Sequence, residues 1–482
     1  MIDLRPVGYI IGRLMLLLGL LMLIPAALDW MLNNANAEGF VKSALFTGGV
    51  GAVVVLTTRN GIGAGLGTRK AFLLTLLIWT VVPLFAALPF IVGAPGMGLT
   101  NAYFEAVSGL TTTGATVIVG LEGYPEGMNL WRGMLNWLGG LGIAVIALIF
   151  LPVMRVGGMQ FFRTEGFDTL GKILPRASDI ALSLLAVYAG LTVACALTFS
   201  SIGMTPLDAV VHAMASISTG GFSPSDQSFG KYAGAGEYAG TLFMILGSLP
   251  YIRYVQMVNG TAGPLLQDLQ ARAYLRWIAV AVLAVTLWRV LSSDMAIEPA
   301  FREALFNMTA IFSGTGFSSG SFSGWGGFAL VAAFVVGIVG GCSGSSSGAL
   351  TVFRVQVMLA AIVAQVRQIA SPNRIILVKY GQRTVEDDVM NALMLYVSGY
   401  VLTLGVLSVA MTLVGVDSLS ALFGIWTSLG NIGYGYGPML AETGTYVDFP
   451  SASKWLMIAA MLMGRLALLS VFVVVMPSFW RR

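Results

Sequence analysis

Four short stretches of Gly, Ser and Thr recur, roughly a hundred residues apart, in an otherwise strongly apolar chain. They read Gly109-Leu-Thr-Thr-Thr-Gly-Ala-Thr116, Ser216-Ile-Ser-Thr-Gly-Gly-Phe-Ser223, Ile311-Phe-Ser-Gly-Thr-Gly-Phe-Ser318 and Ser428-Leu-Gly-Asn-Ile-Gly-Tyr-Gly435. Aligned on Gly114, Gly221, Gly316 and Gly433, more of each stretch falls into register. Ala102, Ala209, Ala304 and Ala421 stand twelve residues earlier; Phe104, Val211, Phe306 and Phe423 stand ten earlier; Leu110, Ile217, Phe312 and Leu429 stand four earlier. A fixed internal period marks one structural unit used several times. One such motif alone reads as small-residue helix packing. Four in the same context imply four units round one axis, their glycine backbones brought together as in a pore filter.

Composition requires lipid as the solvent. Of 482 residues, 57% are hydrophobic and 10% charged, more apolar surface than a water-soluble domain can hide. Apolar runs such as Ala71–Ile91, Trp137–Val153, Ile180–Phe199, Phe328–Val339, Met394–Val414 and Trp455–Met476 are of the order needed to cross a bilayer, about 20 residues. We expect about ten full spans on that criterion. Four half-helices accompany them: Thr100–Leu110, Pro206–Ile217, Pro299–Phe312 and Ser418–Leu429. Such short segments are tolerated at membrane depth only where they line a cavity or pack within protein. Pro206 and Pro299 suit a first helical turn.

The expected fold is an all-α integral membrane protein with four helix–half-helix–helix pore repeats in pseudo-fourfold symmetry. The repeats occupy 70–153, 178–259, 272–366 and 389–482, after an extra amino-terminal helix pair at 1–60. Arg5, Arg13 and the apolar run Leu14–Leu28 resemble a signal peptide, but a second run, Ala44–Leu56, follows at hairpin distance and favours a retained helix pair. Loop charges sort by side. Arg59, Arg69, Lys70, Arg155, Arg163, Lys172, Arg176, Arg253, Arg272, Arg276, Arg367, Arg374, Lys379, Arg383, Arg481 and Arg482 form one set; Asp29, Glu38, Glu122, Glu126, Asp226, Glu237, Asp294, Glu442 and Asp448 form the other. The positive-inside rule places the basic set in the cytoplasm, with both termini, and turns every filter motif outward.

Several functions are excluded on the residues. The net charge of +4 is scattered over loops rather than gathered into a nucleic-acid-binding face. Gly61-Ile-Gly-Ala-Gly-Leu-Gly-Thr-Arg-Lys70 lacks the Gly-Lys-Ser/Thr ending of a nucleotide loop and lies between two spans, so it reads as a cytoplasmic turn. Cys195 and Cys342 form neither a disulfide framework nor a transition-metal set, and His212 is the sole histidine, better suited to packing or a water contact. No nucleophile–base pair stands out, which argues against an enzyme, and no cofactor is expected on the chain.

Glycine and threonine suit cation conduction. Carbonyl oxygens replace a cation's water shell without adding charge, and a loop with all its carbonyls inward needs backbone conformations that a Cβ forbids. The candidate filter is Thr112, Thr113, Gly114; Thr219, Gly220, Gly221; Thr315, Gly316; and Asn431, Ile432, Gly433. The half-helices would aim their negative carboxyl ends at the axis, and Glu122, Asp226 or Glu442 would raise the cation concentration at the entrance. A filter with one glycine per repeat predicts moderate selectivity.

A second feature is Gly340-Gly341-Cys342-Ser343-Gly344-Ser345-Ser346-Ser347-Gly348-Ala349, which interrupts the second helix of repeat three. So many small residues cannot hold a membrane helix. Arg465 sits mid-span in the last helix, where a charge is costly and usually functional. We expect Arg465 to bond carbonyls of the 341–348 loop and to close the pore with it.

On these residues the chain resembles the TrkH/TrkG–KtrB–HKT superfamily of potassium transporters, most closely its bacterial TrkH/TrkG branch. Phe104-Glu-Ala-Val-Ser-Gly-Leu-Thr-Thr-Thr-Gly-Ala-Thr116, Pro372-Asn-Arg374, Val378-Lys379, Met461-Leu-Met-Gly-Arg-Leu466 and Pro477-Ser-Phe-Trp-Arg481 carry the resemblance over nearly the whole chain. It implies potassium uptake across the bacterial inner membrane through a pseudo-fourfold pore in each subunit of a homodimer. It also implies the 340–348 loop and Arg465 as gate, and a cytosolic nucleotide-binding ring of the TrkA type as regulator. Gly114 stands where sodium-preferring plant members carry serine, which points to potassium. Departures are Tyr434 in place of proline, Thr351 in place of a basic residue and Ala467 in place of an acidic one. A proton- or sodium-coupled potassium symporter is the alternative. Such carriers usually show inverted twofold repeats, whereas these four share one orientation.

Overall fold

The computed structural model describes residues 3–61, 67–94, 96–149, 177–374, 376–466, 472–474 and 476–480. Expectations for Arg155, Arg163, Lys172, Arg176, Ala467, Arg481 and Arg482, for most of the 61–70 turn and for the end of repeat one fall outside them. Structure within the set is helical apart from a two-residue hairpin that pairs Lys379 with Thr384 and Tyr380 with Arg383.

Seven described helices are long and apolar enough to cross a membrane: Arg5–Met31, Ala37–Gly61, Arg69–Val92, Asp179–Ser201, Leu269–Ser292, Val352–Ala370 and Asp387–Leu413. Glu126–Ile149 adds a 24-residue helix. Of the roughly ten full spans expected, those seven meet the criterion among the described residues, and the second helices of repeats two and three are interrupted. That of repeat two stops at Ser248 and restarts at Tyr251, around Pro250, which has no N–H for the ladder. That of repeat three is split into Gly327–Val339 and Val352–Ala370. That of repeat four runs from Ser451 to Arg465.

The four half-helices are Leu99–Leu110, Pro206–Ile217, Ile297–Ser313 and Ser418–Gly430. Thr205 and Asp417 cap the second and fourth by accepting amides of the first turn, which offsets the orphan donors of a helix start. Pro299 does not open the third, which begins two residues earlier at Ile297; a third-position amide lacks an intrahelical partner anyway, so proline is tolerated there. Each half-helix packs between the flanking helices of its repeat, and its apolar face enters a core containing Phe104, Ala213, Phe306 and Trp426.

The amino-terminal pair joins through small residues. A Cβ on Gly12 would press on Gly51 O and one on Gly19 on Ala44 O, the close backbone approach by which lipid-embedded helices associate. Buried Asp29 ties the pair to repeat one by accepting the amide of Gly127 at 2.7 Å and Asn36 Nδ2 at 2.8 Å.

Candidate ion-filter site

After each half-helix the chain makes the same turn four times. Two residues before the aligned glycine the backbone is left-handed: φ is 51° at Thr112, Thr219 and Asn431, and 77° at Gly314. The aligned glycines have φ of 82°, 71°, 72° and 85°, a region that glycine enters without the cost of a Cβ. The residue between donates its amide to the carbonyl five residues back: Thr113 to Ser108 and Gly220 to Ala215 at 2.8 Å, Thr315 to Ala310 and Ile432 to Thr427 at 2.9 Å.

These turns close a ring. A Cβ on Gly114 would run into the carbonyl oxygen of Gly220, one on Gly221 into that of Thr315, one on Gly316 into that of Ile432, and one on Gly433 into that of Thr113. Each glycine therefore lies against the carbonyl that precedes the next glycine, and the fourth returns to the first. Side chains bind the ring from behind. Thr113 Oγ1 pairs with Thr111 Oγ1 at 2.7 Å, Ser313 Oγ with Thr315 Oγ1 at 2.7 Å, and Asn431 Nδ2 donates to Thr113 Oγ1 at 2.9 Å, joining repeat four to repeat one.

A vestibule of about 610 Å³ opens on one side of the ring, lined by the four glycines and by Arg132, Asp226, Tyr434 and Tyr436 among others. Arg132 is 1% exposed and paired at 2.9 Å with fully buried Glu105; it donates to Ser223 O at 2.7 Å and lies 4.2 Å over the Phe222 ring. The entrance carboxylates divide. Asp226 reaches the vestibule, but it also accepts the amides of Gly120 and Leu121, while Glu122 accepts Ser225 Oγ and the Asp226 amide. Burial works to raise the Glu122 pKa; those hydrogen bonds and the charge of Lys231 outweigh it, so Glu122 stays ionised below the usual carboxylate range. Glu442 is exposed and is not part of the vestibule wall.

The interrupted segment lies at the half-helix end of the ring. Its base is pinned by amides of Leu350, Thr351 and Val352 donating to Ile338, Val339 and Gly341, so the loop projects sideways between two helix halves. It meets the ends of half-helices three and four directly, and those of one and two through the side chains of Arg465 and Tyr251. Arg465 donates to Thr111 O, to Thr112 Oγ1 and, at 2.9 Å, to Ser346 O. Tyr251 Oη donates to Ile217 O at 2.8 Å and accepts from Ser346 Oγ at 3.0 Å. Ser347 Oγ donates to Ser313 O at 2.5 Å, and a Cβ on Gly348 would run into Gly430 O. Ser343 is held by Gln270 Oε1 at its amide and by Thr351 at its hydroxyl. Thr351 has φ 75° and ψ 146°, a conformation rarely adopted by residues with a Cβ.

All eleven candidate filter residues thus lie at or beside the ring, and the 340–348 loop and Arg465 lie together beneath it. His212 is fully buried, with Nδ1 donating to Asp208 O. Both cysteines are free and buried, and no group of three His, Cys, Asp or Glu suited to a metal occurs among the described residues. The sequence reading missed Tyr251, Gln270 and the Arg132–Glu105 pair. Charges inside apolar stretches were the available signal for the last; the first two had none, because only the fold brings them to the loop.

Ring, half-helices and membrane-spanning helices define an all-α, multi-spanning membrane protein. The chain belongs to the TrkH/TrkG potassium transporter family: the TrkH family model, described as a cation transport protein, matches residues 39–482. The Trk system potassium uptake protein TrkI of Halomonas elongata is 38% identical over 479 residues, covering 99% of this chain and 97% of that protein. TrkH of Escherichia coli K12 is 32% identical over 486 residues, covering 99% of each. The crystal structure of the potassium transporter TrkH from Vibrio parahaemolyticus superposes with a TM-score of 0.91 at 30% identity, covering 100% of both chains. Membership of this family makes the chain a multi-pass membrane transport protein and not an enzyme.

Proposed function

We propose that this chain carries potassium across the bacterial inner membrane through the glycine ring, as a channel-like pore. The closed ring of four carbonyls, each packed on the preceding repeat's glycine, is the observation that carries the reading. Carbonyl dipoles held in such a ring replace a cation's hydration shell, and four half-helix carboxyl ends add negative potential at the same place. Potassium uptake is the activity named for the Halomonas and Escherichia relatives.

The gate is the 340–348 loop with Arg465. The loop meets the ends of half-helices three and four directly and those of one and two through Arg465 and Tyr251, and a guanidinium among pore-facing carbonyls competes with a cation for them. Opening withdraws the loop. Regulation falls to a cytosolic nucleotide-binding ring of the TrkA type acting on a homodimer with cytoplasmic termini, as the family resemblance implies. The test is Gly316→Ala in proteoliposomes: the Cβ meets Ile432 O, so K⁺ flux or K⁺-over-Na⁺ preference falls in a folded protein. Wild-type flux and preference in that variant would reject the filter.

A further inference from the structure

The same alignment exposes a position that differs in every repeat. Nine residues before the aligned glycines stand Glu105, His212, Asn307 and Gly424. The first three are fully buried, and each reaches across its own repeat to the strand that leaves the filter. Glu105 accepts the amide of Val117 at 3.0 Å and the hydroxyl of Thr116 at 2.9 Å. Asn307 accepts the amide of Ser319 at 3.1 Å and donates to its carbonyl at 2.9 Å. Both amides belong to the third residue after the glycine. In repeat two that residue is Pro224, which has no N–H to offer. There the contact moves one residue back, from His212 Nε2 to Ser223 Oγ at 3.2 Å. Repeat four has glycine at this position; its third residue, Tyr436, instead lays its ring against Phe423, with centroids 5.2 Å apart.

We propose that this position is a set of positioning residues that fixes the segment behind the filter glycine, and that repeat four, where the ring packing of Tyr436 takes the place of that hydrogen bond and the half-helix next holds the segment only at Met439 N on Ser420 Oγ, is the compliant quadrant. The inference rests on the filter reading above. Its physical basis is directional. A hydrogen bond weakens steeply with angle and distance, so a bidentate brace holds the adjoining glycine carbonyl in one orientation, whereas ring packing tolerates sliding. The variation tracks what each strand offers: an amide with a hydroxyl beside it, a hydroxyl alone, a complete peptide unit, or an aromatic ring. Discrimination between cations of different radius depends on how firmly the carbonyls are held, and total conduction depends on it much less.

The experiment compares K⁺ and Na⁺ flux ratios of full-length variants in proteoliposomes, with thermal unfolding as a fold control. Asn307→Ala is expected to lower the K⁺-to-Na⁺ ratio by about threefold or more, the worth of at least one lost hydrogen bond. Asn307→Asp, which keeps an acceptor for the Ser319 amide, is expected to lie between it and wild type. Ser223→Ala, which removes the hydroxyl that faces His212 and also bonds Ser228 O and the Ser225 amide of the same segment, moves the ratio the same way and decides the matter if Asn307→Ala does not fold. A wild-type ratio in folded Asn307→Ala and Ser223→Ala overturns the proposal. Gly316→Ala separates the two readings: if it lowers flux or shifts the ratio and the brace variants leave the ratio unchanged, the brace fails alone, and if it leaves both flux and ratio at wild type the filter fails with it.

Discussion

Replacing Arg465 with alanine isolates the contribution of one side chain to closure. Arg465 makes one bond to the interrupted loop, from Nη1 to Ser346 O at 2.9 Å; its other two go to Thr111 and Thr112 of repeat one. The side chain is thus the bridge between repeat one and the loop. A hydrogen bond from a charged donor is worth about 1.5–3 kcal/mol, and each 1.4 kcal/mol is roughly tenfold in an equilibrium. If loop withdrawal breaks this bond, alanine raises the open-to-closed ratio by about ten- to a hundredfold on that arithmetic. Loss of a cation beneath the filter adds in the same direction. The assay is tracer rubidium uptake into proteoliposomes under an imposed potential, read beside the melting temperature. Arg465→Lys keeps the charge but loses the planar fork, so its flux falls between wild type and alanine. Unchanged uptake in a folded Arg465→Ala protein would refute the reasoning.

Three further outcomes follow from the same geometry. Tyr251→Phe removes a hydroxyl that joins Ile217 O to Ser346 Oγ; only the bond to Ser346 is broken by loop withdrawal, and one neutral bond at about 0.5–1.5 kcal/mol gives a rise in uptake of about two- to tenfold, smaller than that of Arg465→Ala. Gly348→Ala sets a methyl against the Gly430 carbonyl, pushing the loop from the half-helix ends, and uptake increases even with Arg465 intact. Glu105→Ala strands the buried Arg132 charge and costs about 3–5 kcal/mol of stability, read as a lower melting temperature; adding Arg132→Met restores much of it, because the cost lies in the unpaired charge.

Much of this architecture was legible in the chain. Repeat spacing located the half-helices to within a few residues, since an apolar run that ends in Gly, Ser and Thr cannot continue as a membrane helix. The glycines at 114, 221, 316 and 433 were recognisable because left-handed backbone demands them. The break at Leu249-Pro250 was less legible, because it divides a helix whose flanks are apolar enough to look continuous. Tyr251 was invisible for a different reason. It lies 95 residues from Ser346, and no local pattern marks a tyrosine that meets a loop of another repeat. The Arg465 contact to Ser346 O falls within the expected loop, whereas its bonds to Thr111 and Thr112 come from the ring closure itself, which sets repeat one beside repeat four.

The central claim is that a continuous, carbonyl-lined path carries potassium through this chain. Its most direct test is tracer rubidium or potassium flux into liposomes containing the purified protein alone, with an imposed potential and no proton or sodium gradient. The account predicts flux that follows the potential, saturates weakly and accepts rubidium. Flux that starts only when a proton or sodium gradient is added would contradict it and establish a coupled symporter.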